Sequence, residues 1–139
     1  MIVDDDPEVR ALVAALRKIC AKLPGAEEYV MVHHPAFRVG KKPFAIAGLD
    51  SEHRGSALSI NLGRDAQDGL LGESRFVRTP YIGQHGWVTI SHRDLAPGEL
   101  AVLVTESWRR IASKKQLAAL EGANKAAAAK PKRRTRLSR

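Results

Sequence analysis

Apolar residues recur at helical spacing early in the chain. Val9, Leu12, Val13, Leu16, Ile19, Cys20 and Leu23 form one stripe. Asp6-Pro7 suits a helix start, with Asp as N-cap and Pro at the first helical position. Pro24-Gly25 closes that helix. From Ala26 to Leu62 the pattern shortens to strands. Glu28 to Val32 is the first, and His34-Pro35 interrupts it. Ala36 to Val39 and Pro43 to Leu49 follow, joined by a Gly40-Lys41-Lys42 turn with a basic tip. After a polar loop over Asp50 to Gly55, Ala57 to Leu62 alternates, with Leu58, Ile60 and Leu62 on one face.

The second half returns to helical patterning around one more strand. Arg64 to Leu71 predicts a short helix that Gly69 weakens. Ser74 to Gly86 reads as irregular, and Trp87 to Ser91 as the last strand. Asp94 is placed to cap a final helix carrying Leu100, Leu103, Val104, Ser107, Trp108 and Ile111, with Pro97 in its first turn. Ser113 and Gln116 have capping-box spacing for a further short helix bearing Leu117 and Leu120. The order predicts an α+β domain, its N- and C-terminal helices packed on one face of an antiparallel sheet.

Composition narrows the class. The chain has 139 residues, 44% of them hydrophobic, enough for one domain with a buried core. No apolar run approaches the roughly 18 residues of a membrane span. The acidic start MIVDDDPEVR predicts no secretory signal, and a single cysteine, Cys20, fits a reducing cytoplasm.

Charge divides the chain. The net charge is +8, yet residues 1 to 108 hold 12 Lys/Arg against 14 Asp/Glu, whereas residues 109 to 139 hold 11 Lys/Arg against Glu121 alone. The segment 122–139 reads as a disordered basic tail, or one with a transient Ala-rich helix before Pro131, following a domain over 1–121. Such a tail attracts polyanions without shape recognition. A membrane surface is disfavoured, because Leu137 alone offers no inserting face.

Several separated motifs bear a resemblance: "LPGAEE" after the first helix, "HHPAFRVGKKPFA" in the hairpin, "PYIGQHGWV" before the last strand, and the closing "ELAVLVTESWRRIASKKQLAAL". Together, over roughly residues 9 to 121, they resemble the MmcQ/YjbR family. The matching positions are Pro24, Gly25, Glu28, His34, Pro35, Phe37, Phe44, Pro80, Tyr81, Gly86 and Trp87. The resemblance implies a frataxin-like (CyaY-like) α+β fold with hairpins likened to a double-wing DNA-binding arrangement. It implies no catalytic residue set.

Direct chemistry is sparse. His33, His34, His53, His85 and His92 lack the spacing that puts two ligands on one helix face, and Cys20 has no cysteine partner. The acids Asp4, Asp5, Asp6 and Glu8 suit the start of a helix dipole without a metal. No nucleophile elbow, dinucleotide fingerprint or P-loop occurs. Adjacent Glu27 and Glu28 point to opposite faces of a strand and make a poor acid–base pair. The expectation is therefore a non-enzyme with no cofactor and no metal.

The expected partner is DNA, with RNA as the alternative polyanion, bound non-specifically through the phosphate backbone. Candidate contacts are Lys41 and Lys42 at the hairpin tip, and Arg109, Arg110, Lys114 and Lys115 around the end of the final helix. The tail adds Lys130, Lys132, Arg133, Arg134, Arg136 and Arg139. With seven basic residues from Lys125 onward, the tail alone neutralises about seven phosphates, which predicts a log–log salt slope near −6 on duplex DNA. The competing reading is a protein-interaction or small-ligand module with a groove of His34, Tyr81, His85 and Trp87.

Overall fold

The computed structural model describes residues 7–31, 33–49 and 56–134, with side chains described up to residue 125, Leu49 excepted. The first helix, α1, runs Pro7–Cys20 and buries Val9, Leu12, Val13, Leu16 and Cys20, the stripe expected from the spacing. Asp6, its expected cap, lies outside the described residues.

Six strands follow: β1 Ala26–Met31, β2 His34–Val39, β3 Lys42–Leu49, β4 Ser56–Asn61, β5 Phe76–Arg78 and β6 Trp87–Ser91. They form one sheet in the order β1-β2-β3-β4-β6-β5. Every neighbouring pair is antiparallel. Helix α2 spans Arg64–Leu71, α3 spans Glu99–Ile111 and α4 spans Lys114–Arg134. The fold is α+β, as expected.

Several local expectations are corrected. His34 and Pro35 do not interrupt a strand; they begin β2, with Pro35 opposite Val30. The reversal falls earlier, where His33 takes a left-handed φ of 69°. A proline near the start of a strand forfeits a single ladder donor, so the sheet accommodates it. The stretch from Ser74 to Gly86 is not wholly irregular, because Phe76–Arg78 pairs with β6. Three residues with one buried side chain are too short for period-2 alternation to register. Asp94 caps nothing; it closes a 3₁₀ turn over His92–Asp94, and α3 starts after Gly98. Pro97 therefore precedes the helix.

Alternation along the strands separates two faces. Phe37, Ala45, Ala47, Leu58, Ile60, Val88 and Ile90 face α1 and α3, which bury them with Leu103, Val104 and Trp108. Fully buried Trp108 donates its indole N–H to the Pro24 carbonyl at 3.0 Å, fixing α3 to the turn after α1. Burying a side chain of that size stabilises by about 3 kcal/mol. The opposite face carries a smaller cluster of Ala36, Ile46 and Trp87, flanked by Tyr29, Met31 and Ile82. Beside it the hydroxyls of Ser59, Thr89 and Thr79 bond in series, each step 2.8 Å, linking β4, β6 and the residue that follows β5.

The capping box before α4 forms as its spacing predicts. Gln116 N–H donates to Ser113 Oγ at 3.1 Å, and Ser113 N–H donates to Gln116 Oε1 at 2.9 Å. Leu117 and Leu120 pack on the main core. The α4 backbone continues past Gly122 to Arg134.

Candidate nucleic-acid interface

The strand registers gather particular connections at one end of the sheet. Val39 pairs with Lys42, Ala45 with Ile60, Asn61 with Trp87, and Arg78 with Val88. The β2–β3 turn, the β4–α2 junction and the β5–β6 connection therefore share that end. The C-terminal part of α3 joins them through Ser107. Its hydroxyl donates to the Phe44 carbonyl at 2.6 Å, approaches the Asn61 carbonyl at 3.2 Å and accepts from Asn61 N–H at 3.1 Å. Gln116 of α4 lies against Gly25, which brings the start of α4 to the same end.

Buried amides hold the connections in place. Asn61 Nδ2 donates to the His85 carbonyl at 3.0 Å, and Asn61 Oδ1 accepts from Gly63 N–H at 2.8 Å. Gln67, 6% exposed, donates to the carbonyls of Gly83 at 2.7 Å and Trp87 at 3.1 Å. Gly86, with φ 105°, lies where the β5–β6 connection presses on the β4–α2 junction. A Cβ there would stand 2.8 Å from Asn61 Oδ1 and 3.1 Å from Arg64 N, so only glycine fits.

Between these parts lies an open cavity of about 460 Å³ lined by Leu62, Gly63, Arg64, Asp65, His85 and Arg110. It adjoins the start of α2, where Gly63 is the N-cap with φ 96° and no side chain caps the helix. Helix starts present free N–H groups and a partial positive charge. The Arg110 stem lies over Gly63, its Nε 3.5 Å from where a Cβ would be. Arg64 Nε donates to the Gln84 carbonyl at 2.9 Å. Among the described residues neither arginine pairs with a carboxylate, so both charges remain available to an anion. Lys41 and Lys42 are exposed at the same end of the sheet, as are Lys114 and Lys115 at the start of α4.

The expected site residues are thus partly regrouped. Arg109 and Arg110 part company: Arg109 meets Glu106 at 3.4 Å and lines a separate cavity with Lys18, Lys22 and Leu120. Lys130, Lys132, Arg133 and Arg134 have described backbone only, and Arg136 and Arg139 lie outside the described residues. The groove of His34, Tyr81, His85 and Trp87 is not assembled. Trp87 is 6% exposed, whereas Tyr81 is 94% exposed. His34 sits at the far end of β2, its ring against Gly48 and its Nδ1 buried without a partner. Only His85 reaches the cavity. Sequence reasoning missed Arg64, Asn61 and Gln67. Arg64 follows Gly63 at a helix start, and that was the available signal.

Among the described residues no group of three or more His, Cys, Asp or Glu is placed to hold a metal. No helix among them is long and apolar enough to cross a membrane. Burial pushes the Cys20 thiol up to about 12, assisted by the nearby Glu28 carboxylate, so it is neutral and a poor nucleophile.

The α+β architecture and the motifs around this end of the sheet define the class. The YjbR family profile matches residues 21–110, and the chain belongs to the YjbR family. Its fold is similar to that of Deinococcus radiodurans DR2400, a crystal structure with a DUF419 domain. The likeness has a TM-score of 0.61 at 19% identity, over 78% of this chain and 87% of that one. No curated protein shows significant similarity to the chain.

Proposed function

We propose that this protein is a non-enzymatic DNA-binding protein of the cytoplasm that grips the phosphate backbone through one end of its sheet, with its basic C-terminal segment adding sequence-independent attraction. The carrying observation is the convergence of Arg64, His85 and Arg110, against the single carboxylate Asp65, on one cavity beside an uncapped helix start. Unpaired guanidinium groups and helix N–H donors are the groups that hold phosphate oxygens. Lys41 on the turn and Lys42 at the start of β3 lie at the same end, where a wing would meet a groove or strand. RNA presents the same phosphate chemistry and is the alternative ligand. Such contacts position the protein and read no bases. The reducing cytoplasm suits a lone buried thiol.

The test is fluorescence anisotropy of labelled duplex DNA against the full chain over a salt series, with the Arg64→Ala/Arg110→Ala double variant beside it. The full chain is expected to bind with a slope of about −6 or steeper, and the double variant to lose about 2 from that slope. An unchanged slope in the double variant removes the cavity from the interface. Absence of binding by the full chain to both duplex and single-stranded DNA at near-physiological salt ends the DNA reading.

A further inference from the structure

The β5–β6 connection carries an aromatic side chain that the fold does not use. Tyr81 is 94% exposed, the most exposed of the large hydrophobic side chains described. Its φ of 65° puts a bulky residue in the left-handed region that favours glycine. The residues around it are firmly tied. Ile82 N–H donates to the Pro80 carbonyl at 2.7 Å, and Gly83 N–H donates to the Thr79 carbonyl at 2.9 Å. The Ile82 side chain packs against the cluster of Ala36, Ile46 and Trp87. The turn therefore anchors both flanks of Tyr81 and leaves the ring in solvent. Tyr29 shows the contrast, since Arg38 covers its ring at 4.4 Å.

The surroundings indicate what such a ring meets. The same connection supplies His85 to the basic cavity, and its Gln84 carbonyl accepts from Arg64. An exposed aromatic ring on an anchored turn, three and four residues before the Gln84 and His85 that meet the cationic cavity, is a combination suited to single strands, in which phosphates track the cations and bases stack on the ring. In an intact duplex the base faces are covered by their neighbours, leaving Tyr81 nothing to stack on. Resting on the phosphate-binding reading above, we propose that Tyr81 stacks on an unpaired base and that this end of the sheet prefers single-stranded nucleic acid to duplex. The strain at residue 81 is then a stability cost retained for binding.

The experiment compares three labelled probes of equal length by anisotropy: oligothymidine, an abasic oligonucleotide with the same phosphates, and a duplex. The full-length protein is measured with Tyr81→Ala, Tyr81→Phe and Tyr81→Gly. Expected results are tighter binding of oligothymidine than of the other two probes, and a loss of roughly 5- to 100-fold for Tyr81→Ala on oligothymidine alone. Tyr81→Phe keeps the affinity. Tyr81→Gly weakens binding as Tyr81→Ala does but raises the melting temperature, because glycine accepts the left-handed backbone. That pairing separates a binding residue from a structural one. Equal affinity for oligothymidine and the abasic probe, or an unaffected Tyr81→Ala, overturns the stacking proposal while leaving phosphate binding intact. Failure of all three probes to bind overturns both.

Discussion

Asn61 ties the β4–α2 junction to His85, 24 residues further along the chain: its Nδ2 donates to the His85 carbonyl at 3.0 Å while its Oδ1 accepts from Gly63 N–H. At 6% exposure, neither partner is readily replaced by water. Asn61→Ala leaves both backbone groups unpaired and is expected to cost about 1–3 kcal/mol in urea unfolding. Because the same amide aligns His85 with the start of α2, the variant should also weaken duplex binding under conditions where it is fully folded.

Arg109 and Arg110 are neighbours in sequence, yet they should differ in binding. Arg110 is unpaired over Gly63, whereas Arg109 meets Glu106 on the other side of α3. Arg110→Ala is expected to reduce the salt slope by about 1, and Arg109→Ala to leave it unchanged. Equal effects would mean that only net charge matters.

Gly86→Ala tests the close approach at the site. The added Cβ meets Asn61 Oδ1 at 2.8 Å on a backbone of φ 105°. Strain of this kind costs about 1–3 kcal/mol, so the substitution should lower the urea midpoint more than Gly69→Ala, where nothing stands within 4 Å.

Cys20 should resist thiol reagents. With its thiol pushed up to about 12 and its side chain buried, negligible thiolate forms at neutral pH. Reaction with a coloured disulfide reagent is expected to be slow in the native protein and to become fast only on unfolding. Rapid labelling of the folded protein would contradict the packing of α1.

Acid should destabilise the fold in a defined direction. Arg17 holds the Glu28 carboxyl, and Arg75 holds that of Glu99, below the usual glutamate value of 4.5. Groups whose folded pKa is depressed stabilise above the unfolded value and lose that contribution as pH falls through the folded one. The stability difference between the wild type and Arg75→Met is therefore expected to be full at neutral pH and to shrink below pH 4.5. Paired denaturation curves at neutral and acidic pH check the sign.

Much of the fold was legible because its signals are local. The α1 stripe, the Gly40 hairpin, the Ser113–Gln116 box and the Trp87–Ser91 strand each follow from neighbours within a few residues. β5 was not legible, because its pairing with β6 is chosen by a partner beyond a connection rather than by its own three residues. The start of α3 was misjudged because Asp94 has the right side chain for a cap, whereas the backbone first makes a 3₁₀ turn.

The sequence by itself determined the α+β class, most of the elements, the concentration of positive charge after residue 108 and the family. Each of these is written in periodicity, composition or short motifs. Only the tertiary structure decided that Arg64, His85 and Arg110 share a cavity, that Arg109 does not, and that Trp87 is buried while Tyr81 stands in solvent. Those outcomes depend on β6 entering the sheet between β4 and β5, and on the helical turn that aims successive arginines apart. Non-local pairing sets the first. The second places Arg110 over Gly63 only because Ser107, one turn earlier, is bonded to both β3 and β4.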